Sequence, residues 1–163
     1  MSMSPSRLEH NWNGGKGRTL RLTVSLDSRV ESVDVAESMI VEFCGRAAYG
    51  ERQCEEIGLA VREAVANAVI HGNRMDLTKK VAMTAELTET GLTVSVRDEG
   101  QGFDPDSVAD PLLPDQLLNE SGRGLFLVRT CVDDVILRRH ESCGMEITLI
   151  KKVSMNSARR NPR

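Results

Sequence analysis

The chain has 163 residues and a formal net charge of −3, which gives one domain of ordinary size and no basic excess for neutralising a nucleic-acid backbone. Hydrophobic residues at 40% and charged residues at 28% describe a folded globular chain, while aromatics at 3% leave the core to aliphatic side chains and disfavour base-stacking platforms. No apolar run approaches the roughly 18 residues that cross a bilayer, and the N-terminus lacks the apolar stretch of a signal peptide. A cytoplasmic protein with no membrane and no direct nucleic-acid partner is expected.

Residues 1–18 are polar and without periodicity, and are expected to form a flexible N-terminal tail. Within them Gly14-Gly15-Lys16-Gly17 has no strand before it and no Ser or Thr after its lysine, so it is not read as a phosphate loop. Leu20, Leu22, Val24 and Leu26 then alternate with Arg21, Thr23 and Ser25, which predicts a half-buried strand. Asp27 or Ser28 is placed to cap a helix that carries Val30, Val33, Met39, Ile40 and Phe43. Gly50 breaks the pattern. A second helix is predicted from about Glu51 to His71, with Ile57, Val61, Val65 and Ala68 on its apolar side and Gly72 at its C-terminus, where a positive φ is often needed.

Val81, Met83, Ala85 and Leu87 alternate in one strand and Leu92, Val94 and Val96 in the next, and Thr90-Gly91 joins them as a hairpin. The pattern collapses after Asp98. The stretch from Glu99 to Gly122 holds Pro105, Pro111 and Pro114 and reads as a long loop, of the kind that is usually functional or disordered. Order returns at Gly124 with a short helix carrying Leu125, Leu127, Val128 and Cys131, then strands at about Asp134–Arg139 and Met145–Val153, and residues 154–163 read as a flexible C-terminal tail. The order predicts an α+β fold: a two-layer sandwich over residues 19–153, with a mostly antiparallel sheet and helices on one face. Cys44, Cys54, Cys131 and Cys143 include no Cys-x-x-Cys pair and the histidines are scattered, so ordinary thiols are expected rather than a zinc site.

Three segments carry chemistry. Glu63, Asn67 and His71 are spaced four apart, so each lies about 40° round the helix from the last and the three form one polar stripe. Such a stripe is usually a solvent face, but a mid-helix Asn does nothing for helix formation. Arg97-Asp98-Glu99-Gly100-Gln101-Gly102 comes directly after a strand; an Asp there can accept a hydrogen bond from an exocyclic amine such as adenine's, and the glycines let the backbone approach a ligand. Ser121-Gly122-Arg123-Gly124-Leu125 opens a helix, whose free N–H groups suit phosphate oxygens.

Each segment alone is weak; their order is not. Glu-x-x-x-Asn with His-Gly, then Asp-x-Gly-x-Gly, then Gly-x-Gly-Leu resembles the N, G1 and G2 boxes of the GHKL ATPase superfamily, which includes gyrase B, MutL and the histidine kinases, and the predicted element order fits its Bergerat fold. Within that superfamily, Glu63-Ala64-Val65-Ala66-Asn67-Ala68-Val69-Ile70-His71-Gly72 and the tract from Gly124 to Asp134 resemble the small anti-sigma-factor serine kinases of the RsbW and SpoIIAB type.

The resemblance implies ATP and Mg²⁺ as cofactors and a protein serine/threonine kinase activity on a STAS-domain anti-anti-sigma protein, with a sigma factor as a second partner and a homodimer as the assembly. It implies Glu63 as the catalytic base, Asn67 as the Mg²⁺ ligand and Asp98 as the acceptor for the adenine amine. Gly100 and Gly102 would shape the pocket, and Gly122, Arg123, Gly124 and Leu125 would lie against the phosphates, with His71 completing the N box and Glu99–Ser121 the lid. One segment departs from the pattern: where the family usually has Gly-Thr, this chain has Gly144-Met145, and Thr148 faces the other side of its strand by alternation. The alternatives are a histidine-kinase-like catalytic domain, though no helix with an acceptor His precedes this one, and a non-catalytic binding module of the same fold.

Overall fold

The computed structural model describes residues 7–11, 19–46, 49–102 and 120–153. Its elements run β1 (Arg7–Asn11), β2 (Thr19–Asp27), α1 (Glu31–Cys44), α2 (Glu51–Asn67), a π-helical turn (Ala68–Gly72), β3 (Lys80–Leu87), β4 (Gly91–Arg97), α3 (Glu120–Cys131), β5 (Asp134–Arg139) and β6 (Met145–Lys152). The strands form one sheet in the order β1-β2-β3-β4-β6-β5, and every neighbouring pair is antiparallel.

Period-two alternation decides which face of the sheet is covered. Leu22, Val24 and Leu26 of β2 stand opposite Ala85, Met83 and Val81 of β3. Met83, Ala85 and Leu87 in turn stand opposite Val96, Val94 and Leu92 of β4, and Val94 and Val96 opposite Leu149 and Ile147 of β6. All of these are buried, and they meet Ile40 and Phe43 of α1, Ile57, Val61 and Val65 of α2 and Val128 of α3 in one core. Thr148 points to the opposite face, as its alternation predicts, where its hydroxyl meets that of Ser95 at 3.1 Å.

The two helices at the heart of this layer, α1 and α2, approach closely through Gly58, which is buried against Val41 and Glu37. Tyr49 pins the connection between them to the sheet by donating its hydroxyl to the Lys151 carbonyl at 2.6 Å, and burial pushes its pKa up to about 12. Cys44, Cys54, Cys131 and Cys143 are free thiols, and burial raises the pKa of Cys44 to about 12. No helix of the described residues is long and apolar enough to cross a membrane.

Four local expectations are corrected. Residues 7–11, assigned to a tail, pair with Thr19–Thr23 of β2 as an edge strand, because that edge of β2 otherwise presents unpaired backbone groups. Neither Asp27 nor Ser28 caps α1: the cap position is Val30, without a side-chain bond, because the Asp27 carboxylate is taken by Lys80 and Arg29. These two cations hold Asp27 below its usual carboxylate pKa. Helix α2 does not run unchanged to His71 but loosens into the π-helical turn, closed by the Asn73 N–H donating to the Ala68 carbonyl at 2.8 Å. Gly72 has no positive φ; the left-handed residues after this helix end are Arg74 and Met75, each with φ of 55°. The expected lid and the expected C-terminal tail lie largely outside the described residues.

The Gly58 contact is directly testable. A Cβ on Gly58 would stand 2.6 Å from the Val41 Cγ2 methyl, whose β-branched side chain has little rotamer freedom. Gly58→Leu should therefore cost about 1–3 kcal/mol by overpacking. Urea denaturation reads this as a lower midpoint; an unchanged midpoint would show that α1 and α2 separate freely.

Candidate functional site

The strongest juxtaposition lies between α2 and α3. Gly124 is buried in α3, and a Cβ added there would lie 3.0 Å from Glu63 Oε2 and 3.7 and 4.0 Å from the Asn67 amide nitrogen and oxygen. The Glu-x-x-x-Asn pair of one helix and the glycine of the other, 61 residues downstream of Glu63 by subtraction of their numbers, are thus packed together. A side chain in place of Gly124 would crowd the Glu63 carboxylate, and Glu63 and Asn67 are both half-buried. The first turn of α3 begins earlier than expected, at Glu120. Gly122 and Arg123 therefore fall in the first turn of α3, the end of a helix that suits an anion.

Asp98 forms the second part. It lies just beyond β4, is only 5% exposed, and its Oδ1 accepts hydrogen bonds from the Gly100 N–H at 2.8 Å and the Met145 N–H at 3.2 Å. Its own N–H donates to the Met145 carbonyl at 3.0 Å. Oδ1 alone thus fixes the carboxylate, and among the described residues no hydrogen bond uses Oδ2. Glycines surround it. A Cβ on Gly72 would overlap the Asp98 carboxyl group, one on Gly100 would overlap the Gly72 carbonyl, and one on Gly144 would overlap the Asp98 carbonyl. Gly144 also needs its left-handed φ of 87°, as Gly102 needs its φ of 70°. Gly102 sits against the Gly144 carbonyl and the Arg139 side chain.

The remaining predicted residues fall less centrally. His71 is exposed, in the π-helical turn that follows Asn67. Arg123 is exposed on α3, and Leu125 packs against the hydrophobic core. Two contributors were missed by sequence reasoning. Gly144 gave no signal beyond its place beside Met145. Asn73, just past the His-Gly of the N box, is 1% exposed and bonded through both ends of its amide. Met145 keeps the backbone contacts to Asp98 while offering no hydroxyl at that point.

The model of the family described as "Histidine kinase-like ATPase domain" matches residues 26–151. The chain belongs to this family. It is 30% identical over 134 residues to the serine-protein kinase RsbW of Bacillus subtilis, covering 78% of this chain and 83% of that one. It is 32% identical over 139 residues to the serine-protein kinase RsbW of Halalkalibacterium halodurans, covering 82% of each. With the anti-sigma F factor of Bacillus thuringiensis it shares 35% over 105 residues, 63% of this chain and 72% of that one. Among solved structures, the RsbU and RsbW domains of Rv1364c from Mycobacterium tuberculosis align with a TM-score of 0.59 at 21% identity, over 80% of this chain and 32% of that one, and share its fold. Membership of an ATPase domain family implies that the chain uses ATP.

The packing of Gly72 on Asp98 yields a prediction. Gly72→Ala should push the carboxylate out of place and weaken ATP binding, with a stability cost of about 1–3 kcal/mol from overpacking. Calorimetric titration of ATP together with thermal melting would read both. Wild-type affinity in the variant would mean that Asp98 does not contribute to the site.

Proposed function

We propose that this histidine kinase-like ATPase domain is an ATP-dependent serine/threonine protein kinase that acts as an anti-sigma factor or a related partner-switching regulator, phosphorylating a STAS-domain anti-anti-sigma antagonist. The observation that supports it most is the placement of Gly124 over Glu63 and Asn67, which puts a carboxylate and an amide oxygen beside the N-terminal turn of a helix. The names of the relatives, serine-protein kinase and anti-sigma F factor, point the same way.

In this reading ATP lies along the groove with its adenine at Asp98 and its phosphates at the start of α3. The Asp98 carboxylate accepts a hydrogen bond from the exocyclic amine, its orientation held by the Gly100 and Met145 N–H groups. Glu63 takes the proton of the attacking serine hydroxyl, the serine oxygen bonds to the γ-phosphorus, the bond from that phosphorus to the β–γ bridging oxygen breaks, and ADP leaves. Mg²⁺ supplies neutralisation of the phosphate charge when bound. Asn67 would hold it through the amide oxygen, an oxygen donor of the kind Mg²⁺ demands, and no group of three His, Cys, Asp or Glu among the described residues offers a separate metal cage. The protein's own share is positioning: Gly124 keeps Glu63 and Asn67 on one side of the groove, and the glycines at Asp98 let the backbone close on the base. The assembly is read as a homodimer, with a sigma factor as the partner released or held by the switch.

Purified protein with ATP and Mg²⁺ is expected to transfer the γ-phosphate to a Ser or Thr of a STAS-domain partner, read by mass spectrometry. Tight partner binding without transfer and without nucleotide binding would overturn the kinase reading in favour of an inert module. Glu63→Gln should keep ATP binding and lower transfer by on the order of 10²–10⁴-fold; undiminished transfer would remove the base assignment. Asn67→Ala should raise the Mg²⁺-dependent nucleotide Kd by about tenfold or more, about 1.4 kcal/mol, and an unchanged Kd would remove the metal role.

A further inference from the structure

Three backbone segments meet behind Asp98, and a closed ring of hydrogen bonds ties them together. The Asn73 Nδ2 donates to the Lys80 carbonyl at 2.9 Å, the Lys80 N–H donates to Glu99 Oε2 at 2.7 Å, and the Glu99 N–H donates to Asn73 Oδ1 at 2.8 Å. Asn73 ends the π-helical turn, Lys80 starts β3, and Glu99 is the residue after Asp98. Both ends of the Asn73 amide face backbone groups of fixed polarity, a carbonyl and an N–H, so one orientation of the amide satisfies both and the flipped one satisfies neither. The chain reaches this geometry by turning sharply just after Asn73, where Arg74 and Met75 occupy the left-handed region that side chains of their size rarely adopt.

The ring ties the loop carrying Asp98 to the helix end. In the segment Asp98–Gly100 the Asp98 N–H is taken by the Met145 carbonyl and the Gly100 N–H by Asp98 itself. The Glu99 N–H goes to Asn73, so this bond connects the end of the α2 helix to the loop. The position of Asp98 is thereby tied to that of Glu63 and Asn67, which lie on that same helix.

We propose that Asn73, with Glu99 as its relay through Lys80, is a positioning residue that sets how well the site distinguishes a purine bearing an exocyclic amine from one without it. The proposal rests on the reading of Asp98 as the acceptor for that amine. The ring itself touches no part of the nucleotide; it acts by holding the Asp98 carboxylate at the distance the amine requires. Loss of the ring should therefore weaken the amine contact and leave the phosphate contacts as they are. A residue that merely stabilised the fold would weaken all nucleotides alike.

The test compares equilibrium binding of ATP with that of purine riboside triphosphate, which lacks the amine, in the full chain with Mg²⁺. Wild type should prefer ATP by about tenfold or more, the size of one well-made hydrogen bond of about 1.4 kcal/mol. Asn73→Ala should reduce that preference to about twofold by weakening ATP alone. Glu99→Ala, at an exposed position where folding is not at stake, should move in the same direction, and Glu99→Gln, which keeps an acceptor oxygen for the Lys80 N–H, should restore it. If Asn73→Ala or Glu99→Ala binds both nucleotides more weakly by the same factor, or keeps the wild-type preference, the positioning role is overturned while the Asp98 reading stands. If wild type itself shows no preference, the Asp98 reading fails and the inference with it.

Discussion

The site depends on one constraint: a buried carboxylate has to be held by backbone N–H groups in a space that side chains would fill. Asp98 meets the first requirement through Gly100 and Met145, and the second through Gly72, Gly100 and Gly144. An unpaired carboxylate at 5% exposure would be costly, and two N–H donors remove much of that cost. The same donors fix the orientation of the group, which is what recognition of a ligand needs. The glycines here serve closeness of approach. Only at Gly102 and Gly144 does the backbone conformation itself call for glycine.

That constraint accounts for the architecture of the domain around it. The sheet delivers Asp98 at the end of β4 and Met145 at the start of β6, side by side, because the two strands are antiparallel neighbours. The loosening of α2 brings Gly72 up to Asp98. Helix α3 returns across α2 so that Gly124 meets Glu63 and Asn67. Aliphatic burial between sheet and helices supplies the rigidity that these approaches require, since a close-packed core moves little when a ligand enters.

Much of this was legible in the sequence. The alternation of Leu20–Leu26, Val81–Leu87 and Leu92–Val96 marked three strands and their buried face, because one covered face leaves a period of two that nothing else imitates. Glu63, Asn67, Asp98 and Gly124 were identifiable by order along the chain, and the structure brings Glu63 and Asn67 against Gly124. What remained hidden has physical reasons. The strand Arg7–Asn11 is short, at an edge, and has no alternating apolar set to announce it. His71 falls where α2 widens into a π-helical turn, a change of winding that the spacing of Glu63, Asn67 and His71 does not announce. Asn73 bonds to backbone groups of Lys80 and Glu99, 7 and 26 residues on, and a residue whose partners are main-chain atoms leaves no complementary side-chain pattern to read.

The widened turn at Ala68–Gly72 also makes α2 respond unequally along its length to a change in residue number. It accommodates about one residue more than a regular helix would over the same span. Losing one residue there would let the segment wind regularly and leave the chain beyond it near its present place. Losing one residue between Glu63 and Asn67, where α2 is regular, would rotate Asn67 and all that follows by roughly 100° about the helix axis relative to Glu63. The same single-residue deletion is therefore absorbed on one side of Asn67 and propagated on the other.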